Sequence, residues 1–463
     1  APHASPHGVG DMARAGGARD EENGVAPEAR GGAETTPLLA PGGDGAGVQE
    51  EEARGDSLPG AVANVCMSML GAGQLTLPYA LSTVGLAGGC VTLGALGVLG
   101  AYTLHALDAA ARGTRARTYG ELVEATLGAR AREAADLMLA VYAFGGAVAF
   151  MLIASEELRL LLNALLPNGH PLWEADRRVL LAVVTCLLVL PLSCLRSLSF
   201  LKPVSTLGSV AALFITFVVV VSAKWSPGGA LEVCGGDTGA LRMWPESPGA
   251  YMGAVPLFAF ALNSAWSFVP VRASLRAPTR ARVRTLIALS KVGVLANYFV
   301  IMVVGYLSLC GGDIADNVLD SLAHTPVVLV ARGALALQLC LALPLRFLVA
   351  RSVLLRAGAM EQDGRSLAFY GTTLALVLGS LALASVTDSL HLVIGITSSV
   401  CASALIYVLP GAAHYKLLWE RTPPLSSGGL FFALMLPALC VAVGVVLLTA
   451  GTAFNVIESV GGA

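Results

Sequence analysis

Residues 61–80 read AVANVCMSMLGAGQLTLPYA. The stretch is apolar and long enough to cross a bilayer as one helix, which takes about 20 residues. Its middle, however, holds Gly71, Ala72 and Gly73, and Pro78 follows. Glycine is a poor helix residue, and proline removes a backbone donor. In hydrocarbon, freed backbone groups persist only where protein buries them or where they line a cavity. We therefore read the stretch as a spanning helix broken near its midpoint. The amides freed at such a break suit a carboxylate, and the carbonyls suit a cation. A close helix-packing patch is the competing reading of the small residues. The nearby Asn64, Gln74 and Pro78 favour the break.

The rest of the chain has the same character. Of 463 residues, 55% are apolar and 13% are charged, against about 25% charged in a soluble domain. The apolar residues fall into blocks separated by short polar segments, the pattern of an all-α polytopic membrane protein. Eleven spans are predicted, near 60–80, 84–107, 134–166, 179–195, 203–223, 250–271, 285–310, 326–350, 367–386, 390–410 and 428–453. Residues 1–58 are rich in Gly, Ala, Pro and Glu and poor in aliphatic residues, a composition that predicts a disordered tail. The expected organisation is a cytosolic tail (1–58), a transmembrane domain (59–455) and a short lumenal or extracellular tail (456–463).

Loop charge sets the orientation. Arg112, Arg115, Arg117, Arg130, Arg132, Arg272, Arg276, Arg280, Arg282, Arg284, Arg351 and Arg356 cluster on one set of loops. The opposite set carries few basic residues and several aspartates, among them Asp313, Asp316 and Asp320. The N-terminus is therefore expected in the cytosol.

An odd span count with a broken first helix suggests a five-plus-five inverted repeat with one extra helix. That reading requires the sixth span to be broken too. It reads GAVPLFAFALNSAWSFVPV, and Pro256, Asn263, Ser264 and Pro270 are spaced to permit unwinding near the bilayer centre. Asn263 could contact a ligand there, or simply bond a neighbouring helix. Glu156, Glu157, Arg159, Lys291, Arg332 and Arg346 are charges within or near spans. We expect most of them to lie at span ends, with Glu156 and Arg159 pairing at helical spacing.

Other classes are poorly supported. The nine cysteines show no metal-ligand spacing, so neither metal nor cofactor is expected. Cys234 and Cys310 flank loops on one side and could pair. No nucleophile–base pair or phosphate loop marks an enzyme, and nothing suggests a nucleic-acid partner. In the tail, Glu34, Leu38 and Leu39 fit ExxxLL, the acidic dileucine pattern read by clathrin-adaptor sorting machinery. It points to endolysosomal or vacuolar membranes, with the plasma membrane as the alternative.

At these residues the chain resembles the amino acid/auxin permease family, within the amino acid–polyamine–organocation superfamily. The sodium-coupled neutral amino acid transporter branch is the most similar. NVCMSMLGAGQLTLPYA resembles the family's first-span signature. PLFAFALN followed by VPV resembles its sixth span. The stretch 279–309 resembles its basic loop and following helix, and LALP with ARSVL resembles its eighth span. The resemblance implies an alternating-access permease for amino acids, neutral ones by the branch's name. The substrate carboxylate would meet the backbone at Leu70, Gly71, Ala72 and Gly73. Its amino group would meet carbonyls near Phe258, Phe260 and Asn263, with Asn64 close by. Two departures stand out. Where sodium-coupled members place an asparagine, this chain has Met67. Where they place a threonine in span 8, it has Cys340 and Ala342. A hard cation prefers oxygen ligands, so proton coupling, weak sodium coupling or facilitated diffusion is expected. A permease-fold amino acid sensor that signals through the tail is the alternative.

Overall fold

The computed structural model describes residues 55–114, 116–166, 176–195, 202–225, 231–236, 238–310, 313–358, 367–387, 389–420 and 427–461. Among these residues the chain is helical, with isolated bridges at Asp56–Leu275 and Trp225–Leu231 in place of any strand. The dileucine at Glu34, Leu38 and Leu39, with nearly all of the predicted tail, lies outside them.

The first predicted span is three pieces: α1 (Leu58–Met69), the single turn α2 (Ala72–Leu75) and α3 (Leu77–Val84). Then follow α4 (Leu86–Thr114), the short α5 (Tyr119–Leu127), α6 (Ala129–Leu165), α7 (177–193) and α8 (Lys202–Ser222). The sixth span is likewise divided, into α9 (Pro248–Ala261) and α10 (Ala265–Ser274). The remainder is α11 (Arg280–Leu309), α12 (Pro326–Ala357), α13 (Leu367–Val386), α14 (390–419) and α15 (427–461). Every predicted span thus corresponds to a helix, and interruptions fall in the first and sixth, as the inverted-repeat reading requires. Eight of the helical segments are long and apolar enough to cross a membrane, and α1 and Thr206–Ser222 are shorter apolar helices. The last helix runs to Gly461, so the segment from 456 is helical up to that residue.

Local sequence sets the helix starts. Ser57, Ser247 and Thr325 each accept a bond from an amide of the following first turn, and proline opens all three helices. The side-chain oxygen satisfies an otherwise unpaired amide, and proline gives up no intrahelical bond at that position. In the helix interiors small residues replace large ones where helices cross. A side chain on Gly97 would strike Leu295 of α11, and one on Gly305 would meet the Pro78 ring of α3 at 2.8 Å. Lipid gives no hydrophobic drive for helix association, so this close fit carries much of the packing.

Cys234 and Cys310 form a disulfide that joins the segment before α9 to the end of α11. This settles the pairing that the sequence left open. The ends of the bundle are called here the disulfide end and the arginine-rich end.

Candidate functional site

The two interruptions meet. α1 closes with the Leu70 amide bonded to the Cys66 carbonyl at 2.7 Å, and the chain then leaves helical geometry. The Gln74 amide bonds back to the Gly71 carbonyl at 3.2 Å, so the amides of 71–73 precede the next closed turn. Amides in that position have no partner in their own helix and are available to an anion. α9 ends similarly, with the Leu262 amide on the Phe258 carbonyl and the Asn263 amide on the Phe260 carbonyl. Asn263 Oδ1 then accepts the Ala265 amide at 3.3 Å, starting α10. Gly73 is where the breaks touch. A Cβ there would lie 2.8 Å from Ala261 Cα and 3.2 Å from the Phe260 ring. No residue but glycine lets the two backbones approach this closely. Gly71 is less constrained, since a Cβ would sit 3.5 Å from the Phe150 ring.

α11 holds both breaks from one side. The Tyr298 hydroxyl lies 2.6 Å from the Met69 carbonyl and 3.0 Å from the Ala261 carbonyl. Lys291 Nζ donates to the Leu262 carbonyl at 3.0 Å and lies 3.5 Å from Met69 Sδ. Asn297 Nδ2 donates to Gln74 Oε1 at 3.3 Å, and Gln74 Nε2 reaches the Ala212 carbonyl of α8. Several buried polar atoms around the breaks have no protein partner, among them Asn263 Nδ2, Ser264 Oγ, Trp266 Nε1 and Ser290 Oγ. Buried polar groups are normally paired, so their concentration here marks a site built to meet a polar ligand or water.

The sequence-predicted residues separate into groups. Leu70, Gly71, Ala72, Gly73, Phe258, Phe260 and Asn263 are all buried, and the contact at Gly73 brings the two strings together. Asn64 is half-buried on α1, more than a turn before the break. Met67 faces α8 and α12: a side chain on Gly208 would strike its sulfur, and Gln338 Nε2 lies 4.0 Å from that sulfur. Cys340 and Ala342 are buried on α12. Beside the Met67 sulfur, Gln338 Oε1 is a buried oxygen without a protein partner, and sulfur is a poor ligand for a hard cation. A separate cavity of about 240 Å³, lined by Tyr79, Thr83, Gly253, Leu257, Phe454 and Asn455, contains none of the predicted residues.

The sequence reading placed most charges at span ends, and the structure adds that several of them are buried in protein there rather than reaching solvent. Glu157 and Arg332 are fully buried and Lys291 is 3% exposed. Lys291 sits about 17 Å along α11 from Arg280, at 1.5 Å per residue. The position was legible from that count, but nothing in the sequence told which way the side chain pointed. Arg346 lies 3.9 Å over the Phe150 ring, beside Gly146, where any side chain would displace it. Glu156 and Arg159 do form the expected pair, at 2.5 Å.

Ionic clusters tie both ends of the bundle. At the disulfide end, Arg332 Nη1 bonds Glu157 of α6 at 2.7 Å and Asp320 at 2.9 Å, while Nη2 bonds the Leu319 carbonyl. Asn317 donates to the other Glu157 oxygen at 2.5 Å. Asp320 lies in the connection before α12, where burial pushes its carboxyl above the usual carboxylate range and Arg332 offsets part of that. At the arginine-rich end, Asp108 of α4 pairs with Arg272 of α10 at 2.6 Å and with Arg112 on its own helix. Asp56 closes the same end by bonding Ser274 and Arg276.

Comparison with known proteins agrees with this geometry. The family described as "Transmembrane amino acid transporter protein" matches residues 54–457. The chain is 31% identical over 314 residues to sodium-coupled neutral amino acid transporter 7 of Xenopus laevis, covering 65% of this chain and 66% of that protein. It is 28% identical over 336 residues to the Bos taurus protein of the same name, covering 71% and 68%. It is 23% identical over 389 residues to sodium-coupled neutral amino acid symporter 2 of Danio rerio, covering 78% and 76%. The chain thus spans roughly two thirds of the length of the first of these relatives. With two helix breaks in contact at mid-bundle and a family match across nearly the whole helical region, the chain belongs to the transmembrane amino acid transporter family.

Proposed function

We propose that this protein carries neutral amino acids across a membrane by alternating access, as a secondary transporter. The observation that carries the reading is the contact of the two broken helices at Gly73 and Ala261. It sets the amides of 71–73 near the carbonyl-bearing ends of α1 and α9. A zwitterion needs both poles within a few ångströms, and half-helix ends supply them from the backbone alone. Such main-chain recognition suits the α-amino acid group common to all substrates. The relatives' names supply the neutral class. The two ionic clusters fit a rocking mechanism, since each ties together helices that would part when its end opens. For the coupling ion, a thioether at Met67 and a thiol at Cys340, where sodium-coupled members are expected to carry oxygen, favour a proton over tightly bound sodium.

The proposed orientation puts the arginine-rich end in the cytosol. It is supported by the disulfide at the opposite end, since such bonds persist in oxidising compartments. The ExxxLL pattern then lies on the side where sorting adaptors act.

The test is uptake of a panel of radiolabelled amino acids into proteoliposomes holding the full chain. It is run with and without sodium and with an imposed pH gradient. Saturable uptake or counterflow of neutral amino acids is expected. Absence of both for every amino acid, in every condition, would defeat the reading.

A further inference from the structure

Helices α1 and α9 both end at mid-bundle, and the carbonyl end of a helix carries partial negative charge. Two such ends converge here, and a cation is already built between them. Lys291 Nζ bonds the Leu262 carbonyl at 3.0 Å and touches Met69 Sδ at 3.5 Å. The neighbouring Met69 and Ala261 carbonyls are met by Tyr298. α4 gives the ammonium room by placing Gly100 opposite, where a Cβ would lie 3.4 Å from Nζ. Among the described residues no carboxylate pairs with Lys291, whereas the fully buried Arg332 has two. The titratable groups that face it are the Cys66 thiol of α1 and Tyr298 of its own helix. α4 sets Gly100 opposite the ammonium, and the one carboxylate in the sequence of that helix, Asp108, is committed to Arg272 and Arg112. An intramembrane ionisable group held by dipoles rather than by a counter-charge is poised to exchange its proton.

We propose that Lys291 is the coupling-ion site of this protein, and that the ion is a proton. The ammonium stands where a free metal cation would otherwise neutralise the two helix ends. It holds α9 to α11 through the Leu262 carbonyl. When the bundle opens to one side, Lys291 gives one proton to water there and becomes a neutral amine. When it opens to the other side, the amine takes one proton back. One proton therefore crosses per cycle, and no metal ion is required. The proposal rests on the amino acid transport reading above and assigns its energy source.

The experiment uses the full chain in proteoliposomes, with an equimolar radiolabelled mixture of neutral L-amino acids and a trapped pH-sensitive dye. One proton per substrate predicts about tenfold accumulation for each unit of pH gradient. Wild type is expected to approach this, with matching dye response, and to be indifferent to replacing sodium by choline. Lys291→Met removes the proton site at similar volume. Lys291→Arg keeps a fixed cation that does not release its proton. In at least one of these variants, counterflow exchange is expected to survive while gradient-driven accumulation and the dye response vanish. Accumulation that persists in either variant overturns the assignment. So does a wild-type requirement for sodium, or loss of exchange in both variants, which would make Lys291 a structural strut. Absence of exchange in wild type itself would remove the transport reading instead, which separates the two failures.

Discussion

The two ends of the bundle are tied by ionic clusters of opposite composition. At the disulfide end one arginine, Arg332, lies between two carboxylates, Glu157 and Asp320. At the arginine-rich end one carboxylate, Asp108, lies between two arginines, Arg272 and Arg112. The surroundings differ as well. The Arg332 and Glu157 side chains are both 0% exposed and Asp320 is 30% exposed, whereas Asp108 is 3%, Arg272 10% and Arg112 36% exposed. A buried ion pair gains little net stability, but removing one partner leaves a charge with neither water nor counter-ion. The disulfide-end cluster should therefore be an all-or-none lock between α6, α12 and the connecting turn. In the arginine-rich cluster the buried Asp108 has two arginines, so loss of either leaves it paired, and that end should yield by degrees.

Substitutions can break that contrast. The largest effect is expected for Arg332→Leu, which strands the fully buried Glu157 and should cost about 3–5 kcal/mol, read as a lowered melting temperature in detergent. Adding Glu157→Gln removes one stranded charge, so the double variant should be more stable than the sum of the single effects predicts. Strict additivity would show that the two residues are not a unit. Arg272→Leu comes next. Asp108 keeps Arg112, so the loss should be about 1–3 kcal/mol by the same assay, the range for disrupting a buried polar contact. A loss equal to that of Arg332→Leu would erase the proposed asymmetry. Arg112→Ala should do least, below about 1 kcal/mol, because its partly exposed charge is screened and Asp108 retains Arg272.

Much of this architecture was legible in the chain. The helix-breaking strings at 71–73 and 262–264 were visible because glycine, asparagine and proline carry local backbone preferences that lipid makes expensive. The eleven spans followed from the length of each apolar block. The site was legible only in part. The break at Gly71, Ala72 and Gly73 was read from backbone chemistry and its partner break near Asn263 from the repeat argument, while Leu70, Phe258 and Phe260 entered through the family resemblance. Tyr298, Asn297 and Gln338 were passed over, since a tyrosine or amide in a spanning helix looks the same whether it faces lipid, a neighbour or a break. Lys291 and Arg332 were noticed but their burial and partners were not, because sequence gives depth along a helix and not the direction a side chain takes.

The sequence by itself determined the class of protein, the number of spans, the two weak points in them and the side with most positive charge. These are properties of short stretches, set by hydrophobic length, backbone propensity and local charge. Only the tertiary structure decided which weak points touch, which cysteines pair and which charges are stranded together. It set Gly73 against Ala261, joined Cys234 to Cys310, and placed the Lys291 ammonium between two helix ends. The reason is that these contacts join residues tens to hundreds of positions apart. Their free energy depends on mutual orientation, and no local window of sequence contains it.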